Sequence, residues 1–254
     1  ESEQVLPAFV RKSVEWIHGH KDGPFLLYLA LNSPHTPLAP TQEWKGKSGM
    51  GDYADFVMQT DAAVGEVMLA IETAGVTGET LVILTSDNGC APYVGTAVST
   101  DARYSHDRMD AVEDLAERGH YPSGPFRGYK SDALEGGHRV PFIVRWPKEV
   151  QPGSVCDQWV QQTDLMATFA EIIGTKIPED AGEDSFSLVP LLRGSNKPVR
   201  QHAISTSLSG LPGLRHGNWK YIAGSGSGGW TPGNSEQPIQ LYNLAADPGE
   251  TINL

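Results

Sequence analysis

Leu6, Phe9, Val10 and Ile17 recur at helical spacing and predict an amphipathic helix over 3–18. Lys21-Asp22-Gly23-Pro24 breaks that pattern. Phe25 to Leu31 is then a continuous apolar run between turn residues, which predicts a strand buried on both faces. Asn32-Ser33-Pro34-His35-Thr36-Pro37 must be a loop, because its prolines cannot donate to a ladder. A second helix is expected from Asp52 as N-cap, with Asp55 complementing the helix dipole in the first turn. Val57, Asp61, Val64, Val67, Met68 and Ile71 follow at spacings of three and four, and Gly75 stops the helix. Leu81–Thr85 and Pro141–Trp146 read as two further buried strands. The first runs into Ser86-Asp87-Asn88-Gly89. The stretch from Pro92 to Arg127 shows no clear period, apart from a short surface helix expected over Asp110–Arg118. Thr163 or Asp164 caps another helix, with Leu165, Phe169, Ile172 and Ile173 inward and Gly174 at its end.

Strands alternating with helices predict an α/β domain with a largely parallel sheet over 1–194. After Gly194 the pattern changes. His202–Ser207, Gly213–His216, Trp219–Ala223 and Gln240–Tyr242 read as short strands, with a hairpin-like turn at His216–Trp219 and a glycine-serine loop from Gly224 to Gly233. A small antiparallel subdomain is therefore expected over 195–254.

Composition narrows the function. The chain of 254 residues has 39% hydrophobic and 20% charged residues and a formal net charge of −12. No window is apolar enough to span a membrane. The opening Glu-Ser-Glu-Gln lacks the basic start and apolar run of a signal peptide, so either the protein is cytoplasmic or its true N-terminus lies upstream. No basic stripe is present, which sets nucleic acid aside. Two cysteines, Cys90 and Cys156, are too few for a disulfide framework or a four-thiolate zinc site. An acidic chain that handles an anion needs a local positive cluster.

In open α/β sheets, ligands sit beyond the carboxyl ends of strands. Two apolar runs deliver polar residues there: His35 after the first, Asp87 and Asn88 after the second. A carboxylate beside an amide oxygen suits calcium or magnesium better than zinc, although Asp-Asn-Gly is equally ordinary turn chemistry. His35 is either a donor to an anion or an exposed loop histidine. Arg127, Lys130, His138 and Arg139 form the positive cluster, on a glycine-rich stretch that lets backbone approach a ligand. A solvated basic loop would read the same way.

Together these motifs resemble the C-terminal half of the arylsulfatase family, formylglycine-dependent enzymes of the alkaline phosphatase superfamily. The resemblance rests on Ser-Pro-His35-Thr-Pro, Thr-Ser-Asp87-Asn88-Gly, Lys130 five residues before Glu135-Gly-Gly, Leu214-Arg-His-Gly-Asn-Trp-Lys-Tyr221 and the closing Leu241–Leu254, in the family's order. It implies an alkaline-phosphatase-like sandwich and calcium-assisted hydrolysis of aryl, carbohydrate or steroid sulfates. Asp87 and Asn88 would be calcium ligands. His35 and Lys130 would contact the sulfate, either of them serving as proton donor, and Glu135, Gly136 and Gly137 would shape the adjoining loop. Arg139 would form a structural salt bridge. A periplasmic or extracellular location is implied in the same way.

The family's nucleophile is a formylglycine made from Cys or Ser in a Cys/Ser-x-Pro-x-Arg motif, and its hydrated aldehyde attacks sulfur. Cys90-Ala-Pro-Tyr-Val94 has valine at the arginine position and lies in the wrong part of the order. Cys156 does not fit at all. The expectation is a chain without its nucleophile, inactive alone, that pairs with a missing N-terminal half or self-associates. Two other readings stay open: a phosphodiesterase or phosphonate hydrolase of the same superfamily, and a non-catalytic module on the same scaffold.

Overall fold

The computed structural model describes residues 2–94, 110–233 and 236–254. Residues 95–109 of the aperiodic stretch lie outside the described residues. The chain divides into two compact units: 1–80 with 90–124, and 81–89 with 125–254.

The first unit is built on helices α1 (Val5–His20) and α2 (Asp52–Thr73), with α3 (Asp110–Glu117) later in the chain. Leu6 and Val10 of α1 pack on Phe56 and Ala63 of α2, with Val14, Leu31 and Leu38 around them. Residue 52 begins α2, but Gly51 is its N-cap and no side chain caps it. Asp55 instead is buried and accepts N–H bonds from Gly46 at 2.6 Å and Ser48 at 2.8 Å, fixing the loop that enters the helix. The inner stripe is Phe56, Gln59, Ala63, Ala70 and Ile71, rotated from the expected one, and Val57 is exposed. The small Ala63 packs against α1, and the valines at 57, 64 and 67 fall on the flanks. Val112 and Leu115 of α3 are buried while Glu113 and Glu117 are exposed, so α3 is the expected surface helix with one face turned inward.

Phe25–Leu31 is extended but joins no ladder among the described residues. Its side chains alternate: Phe25 meets Trp16 edge-on at 5.4 Å and Leu31 joins the helical core, while Leu26 and Tyr28 are 75% and 88% exposed. The expectation of burial on both faces fails, because the described residues lay cover on one face only.

In the second unit, β1 (Val82–Thr85) pairs with β2 (Phe142–Arg145), and the ladder is antiparallel. Among the described residues every ladder is antiparallel, so the α/β class holds without the expected parallel pairing. Helix α4 (Glu135–His138) is a single turn, and α5 (Asp164–Ile172) is followed by α6 (Val189–Leu192). On α5 the buried positions are Asp164, Thr168 and Ala170, whereas Ile172 and Ile173, expected inward, are exposed. Asp164 is drawn in because Arg200 binds it through two nitrogens, and the N–H groups of Gln161 and Phe186 complete its shell at 2.8 and 2.9 Å.

The C-terminal strands are as expected: β3 (His202–Thr206), β4 (Pro212–His216), β5 (Trp219–Ile222) and β6 (Gln240–Asn243) form a four-stranded meander in sequence order. Ala133, Leu134, Ile222, Tyr242 and Leu244 form its core. Beyond β6 the chain folds back, and Leu254 N–H reaches Leu241 C=O at 3.1 Å.

Candidate functional site

Strand β1 ends in the loop that carries Asp87 and Asn88. Gln162 holds the strand's end, its amide donating to the Thr85 hydroxyl at 3.3 Å and to the Ser86 carbonyl. Ser86 Oγ donates to Asn88 C=O at 3.0 Å. Gly89 then meets α4 backbone to backbone. Its N–H donates to Gly137 C=O at 2.9 Å, and a Cβ on Gly89 would lie 1.8 Å from the Gly136 oxygen. Gly136 in turn presses on the next segment: its N–H donates to Arg127 C=O at 2.7 Å, and a Cβ there would lie 2.1 Å from the Gly128 oxygen. Only residues without side chains stack three backbones this closely. The glycine pair thus brings the Asp87–Asn88 loop and the segment bearing Lys130 to one place.

The turn of α4 is pinned by charge. The buried Glu135 carboxylate lies 3.0 Å from Lys220 Nζ, 3.3 Å from Arg215 Nη1 and 3.4 Å from Arg139 Nη1, with His138 Nε2 at 3.5 Å. The salt bridge expected of Arg139 is therefore present. Burial alone would raise the Glu135 carboxyl; hydrogen bonding and charge from His138 and Lys220 outweigh it and hold the group well below the usual carboxylate range. Lys220 is itself buried and lies 3.0 Å from Glu250 Oε1, an ion pair without hydrogen-bond geometry. Glu250 Oε2 accepts the Glu135 N–H at 2.6 Å. Burial pushes the Glu250 carboxyl upward, with Lys220 partly offsetting it. Sequence reasoning singled out neither Lys220 nor Glu250. The available signal was strand alternation: in Trp219-Lys220-Tyr221-Ile222 the lysine shares the inward face with Ile222.

Lys130 is half-buried and makes no hydrogen bond or ion pair with the described residues. Asp87 is exposed, and its carboxylate is likewise unengaged. Asn88 Nδ2 donates to Gly89 C=O at 3.0 Å, which leaves Oδ1 as the open end of the amide. One carboxylate and one amide oxygen, both uncommitted, fit a hard divalent cation as part of its shell. No group of three or more His, Cys, Asp or Glu residues among the described residues could complete it.

His35 belongs to the first unit, between the cis peptide bonds Ser33–Pro34 and Thr36–Pro37. Its ring is exposed, and Nδ1 donates to Thr36 C=O at 2.7 Å. A carbonyl only accepts, so Nδ1 carries the proton, and Nε2 becomes a donor only in the imidazolium form. Cys90, also in this unit, lies 3.3 Å from the Tyr53 hydroxyl, and burial pushes its thiol up to about 11. That is the opposite of an activated thiol.

The model of the Sulfatase family matches residues 7–175. An N-acetylgalactosamine-6-O-sulfatase of Bacteroides thetaiotaomicron is 34% identical over 100% of this chain and 48% of its own length. Human arylsulfatase A is 32% identical over 92% of this chain and 45% of its own length. A solved structure from work on the metabolism of multiple glycosaminoglycans by Bacteroides thetaiotaomicron superposes with a TM-score of 0.84 at 33% identity, covering 100% of this chain and 51% of that one. The chain thus spans about half the length of the curated relatives it matches.

Proposed function

Because the chain belongs to the sulfatase family, we propose that it supplies one part of the active site of a calcium-assisted sulfuric ester hydrolase. The junction of Gly89 with Gly136 supports this reading, since it holds the loop that carries Asp87 and Asn88 against the turn that packs on the segment leading to Lys130. Asp87 and Asn88 would hold calcium, which neutralises charge on a bound sulfuryl group. Calcium takes six or more oxygens, so ligands beyond this pair are required. Lys130 would donate to the sulfuryl oxygens where charge develops in the transition state. His35 would donate from Nε2 as an imidazolium and pass that proton to the departing ester oxygen.

The nucleophile would come from outside these residues, since Cys90 carries Val94 where the family motif needs arginine and its thiol is held protonated. We favour a carbohydrate sulfate as substrate, because the N-acetylgalactosamine-6-O-sulfatase matches the whole chain whereas the steryl-sulfatases match 67% to 73% of it.

The test uses the full-length enzyme with paired sulfate and phosphate esters, with and without chelation of calcium. Sulfate hydrolysis should dominate and disappear on chelation. Lys130→Ala should lower kcat by about 10²–10³, and Asp87→Ala should lower bound calcium measured by elemental analysis. Preference for the phosphate ester, or full calcium content in Asp87→Ala, overturns the assignment.

A further inference from the structure

Lys130 is the second residue of a tight turn, Tyr129 to Asp132, closed by Asp132 N–H on Tyr129 C=O at 3.0 Å. The third residue, Ser131, has φ +80°. Turns with positive φ at that position usually take glycine, and a side chain there is strained. Such a conformation persists only where its surroundings over-determine it.

They do so here, and Asp132 is the centre. Its carboxylate is 2% exposed as a residue and gathers four donors. Tyr129 N–H reaches Oδ2 at 2.7 Å, Thr231 N–H reaches Oδ1 at 3.1 Å, Ser227 Oγ lies 2.9 Å from Oδ1, and the Thr231 hydroxyl binds Oδ2. The turn is also held through its backbone. Leu208 N–H donates to Ser131 C=O at 2.9 Å, and Ala133 N–H to Ser227 C=O at 2.8 Å. Behind it sits Gly229, where a Cβ would lie 2.5 Å from both the carbonyl carbon and oxygen of Ser131. Two loops of the meander therefore clamp the one turn that displays Lys130, and the lysine itself takes no part in the clamp.

We propose that Asp132 is a positioning residue for Lys130. It ties the strained turn to the 227–231 loop and so fixes where the ammonium meets the sulfuryl oxygens. The inference rests on the role proposed above for Lys130. A small displacement of a group that acts in the transition state costs about 10²-fold in rate, so binding should suffer far less than turnover.

A double-mutant cycle tests it in the full-length enzyme: kcat and KM on a sulfate ester for Lys130→Ala, Asp132→Ala and the pair, each at a temperature where melting curves show the protein folded. Asp132→Ala should lower kcat by about 10- to 100-fold with KM within about twofold, and should add less than about twofold to the loss in Lys130→Ala. Equal losses in both backgrounds, or wild-type kcat in Asp132→Ala, overturn the inference. Near wild-type turnover in Lys130→Ala overturns instead the role of Lys130 on which it rests. If Asp132→Ala does not fold, Thr231→Val and Ser227→Ala, which each remove one donor, take its place in the cycle under the same criterion.

Discussion

Replacing Glu135 by glutamine removes one negative charge from a buried cluster and changes almost nothing else in shape. Lys220, 2% exposed at its side chain, then keeps only Glu250 as counter-charge. Removing one partner of a buried ion pair costs about 3–5 kcal/mol. The amide oxygen can still accept from Lys220, and Arg139 and Arg215 are 49% and 21% exposed at their side chains. Both features place the expectation at the lower end, about 3 kcal/mol, a large part of a typical domain's stability. The sign of the pH dependence is determined. Glu135 is held below its unfolded value of about 4.3, so its contribution is complete above that pH. It is lost as pH falls toward the folded value, by up to about 1.4 kcal/mol per unit. Glutamine has no such dependence. Urea denaturation of wild type and Glu135→Gln, followed by tryptophan fluorescence, should show the gap at about pH 7 and its shrinkage between about pH 5 and 3. A gap below about 1 kcal/mol at neutral pH, or one level across the acidic range, refutes the reasoning.

Two further outcomes are expected. Gly89→Ala places a methyl 1.8 Å from a backbone oxygen that no side-chain rotation can move. It should destabilise the protein by about 1–3 kcal/mol in chemical denaturation and weaken calcium binding by the full-length enzyme in calorimetry, and unchanged values of both would contradict the stacking of backbones. Asp164→Asn leaves the buried Arg200 without its counter-charge. A loss of about 3–5 kcal/mol is expected, and a melting curve superposable on wild type would contradict it.

The meander was legible nearly to the residue, because a hairpin turn at Gly217-Asn218 and period-2 strands leave little choice of register. Phe25–Leu31 was not legible, since a continuous apolar run does not say which layers will cover it. The phase of α2 was missed for a related reason: alanines 63 and 70 carry little hydrophobic signal, yet both are buried and Ala63 packs against α1. At the site, the residue types of Asp87, Asn88 and Lys130 were readable from their motifs. The close packing of the segments that flank them was not, because it lies in backbone contacts between glycines far apart in sequence. Asp132, Lys220 and Glu250 escaped notice because isolated charged residues look like surface until their partners are placed.

The second unit is discontinuous in sequence, since the chain leaves it after Gly89 and returns at Pro125. Closing a flexible excursion costs entropy that grows only with the logarithm of its length, so doubling it would cost about 0.6 kcal/mol. Tolerance to change along this chain is therefore lopsided. Insertions in the exposed turn at Gly119, which spare the buried Pro92, Val94, Val112 and Leu115, carry little thermodynamic penalty, whereas at residue 89, next to the candidate ligands, one added carbon has nowhere to go.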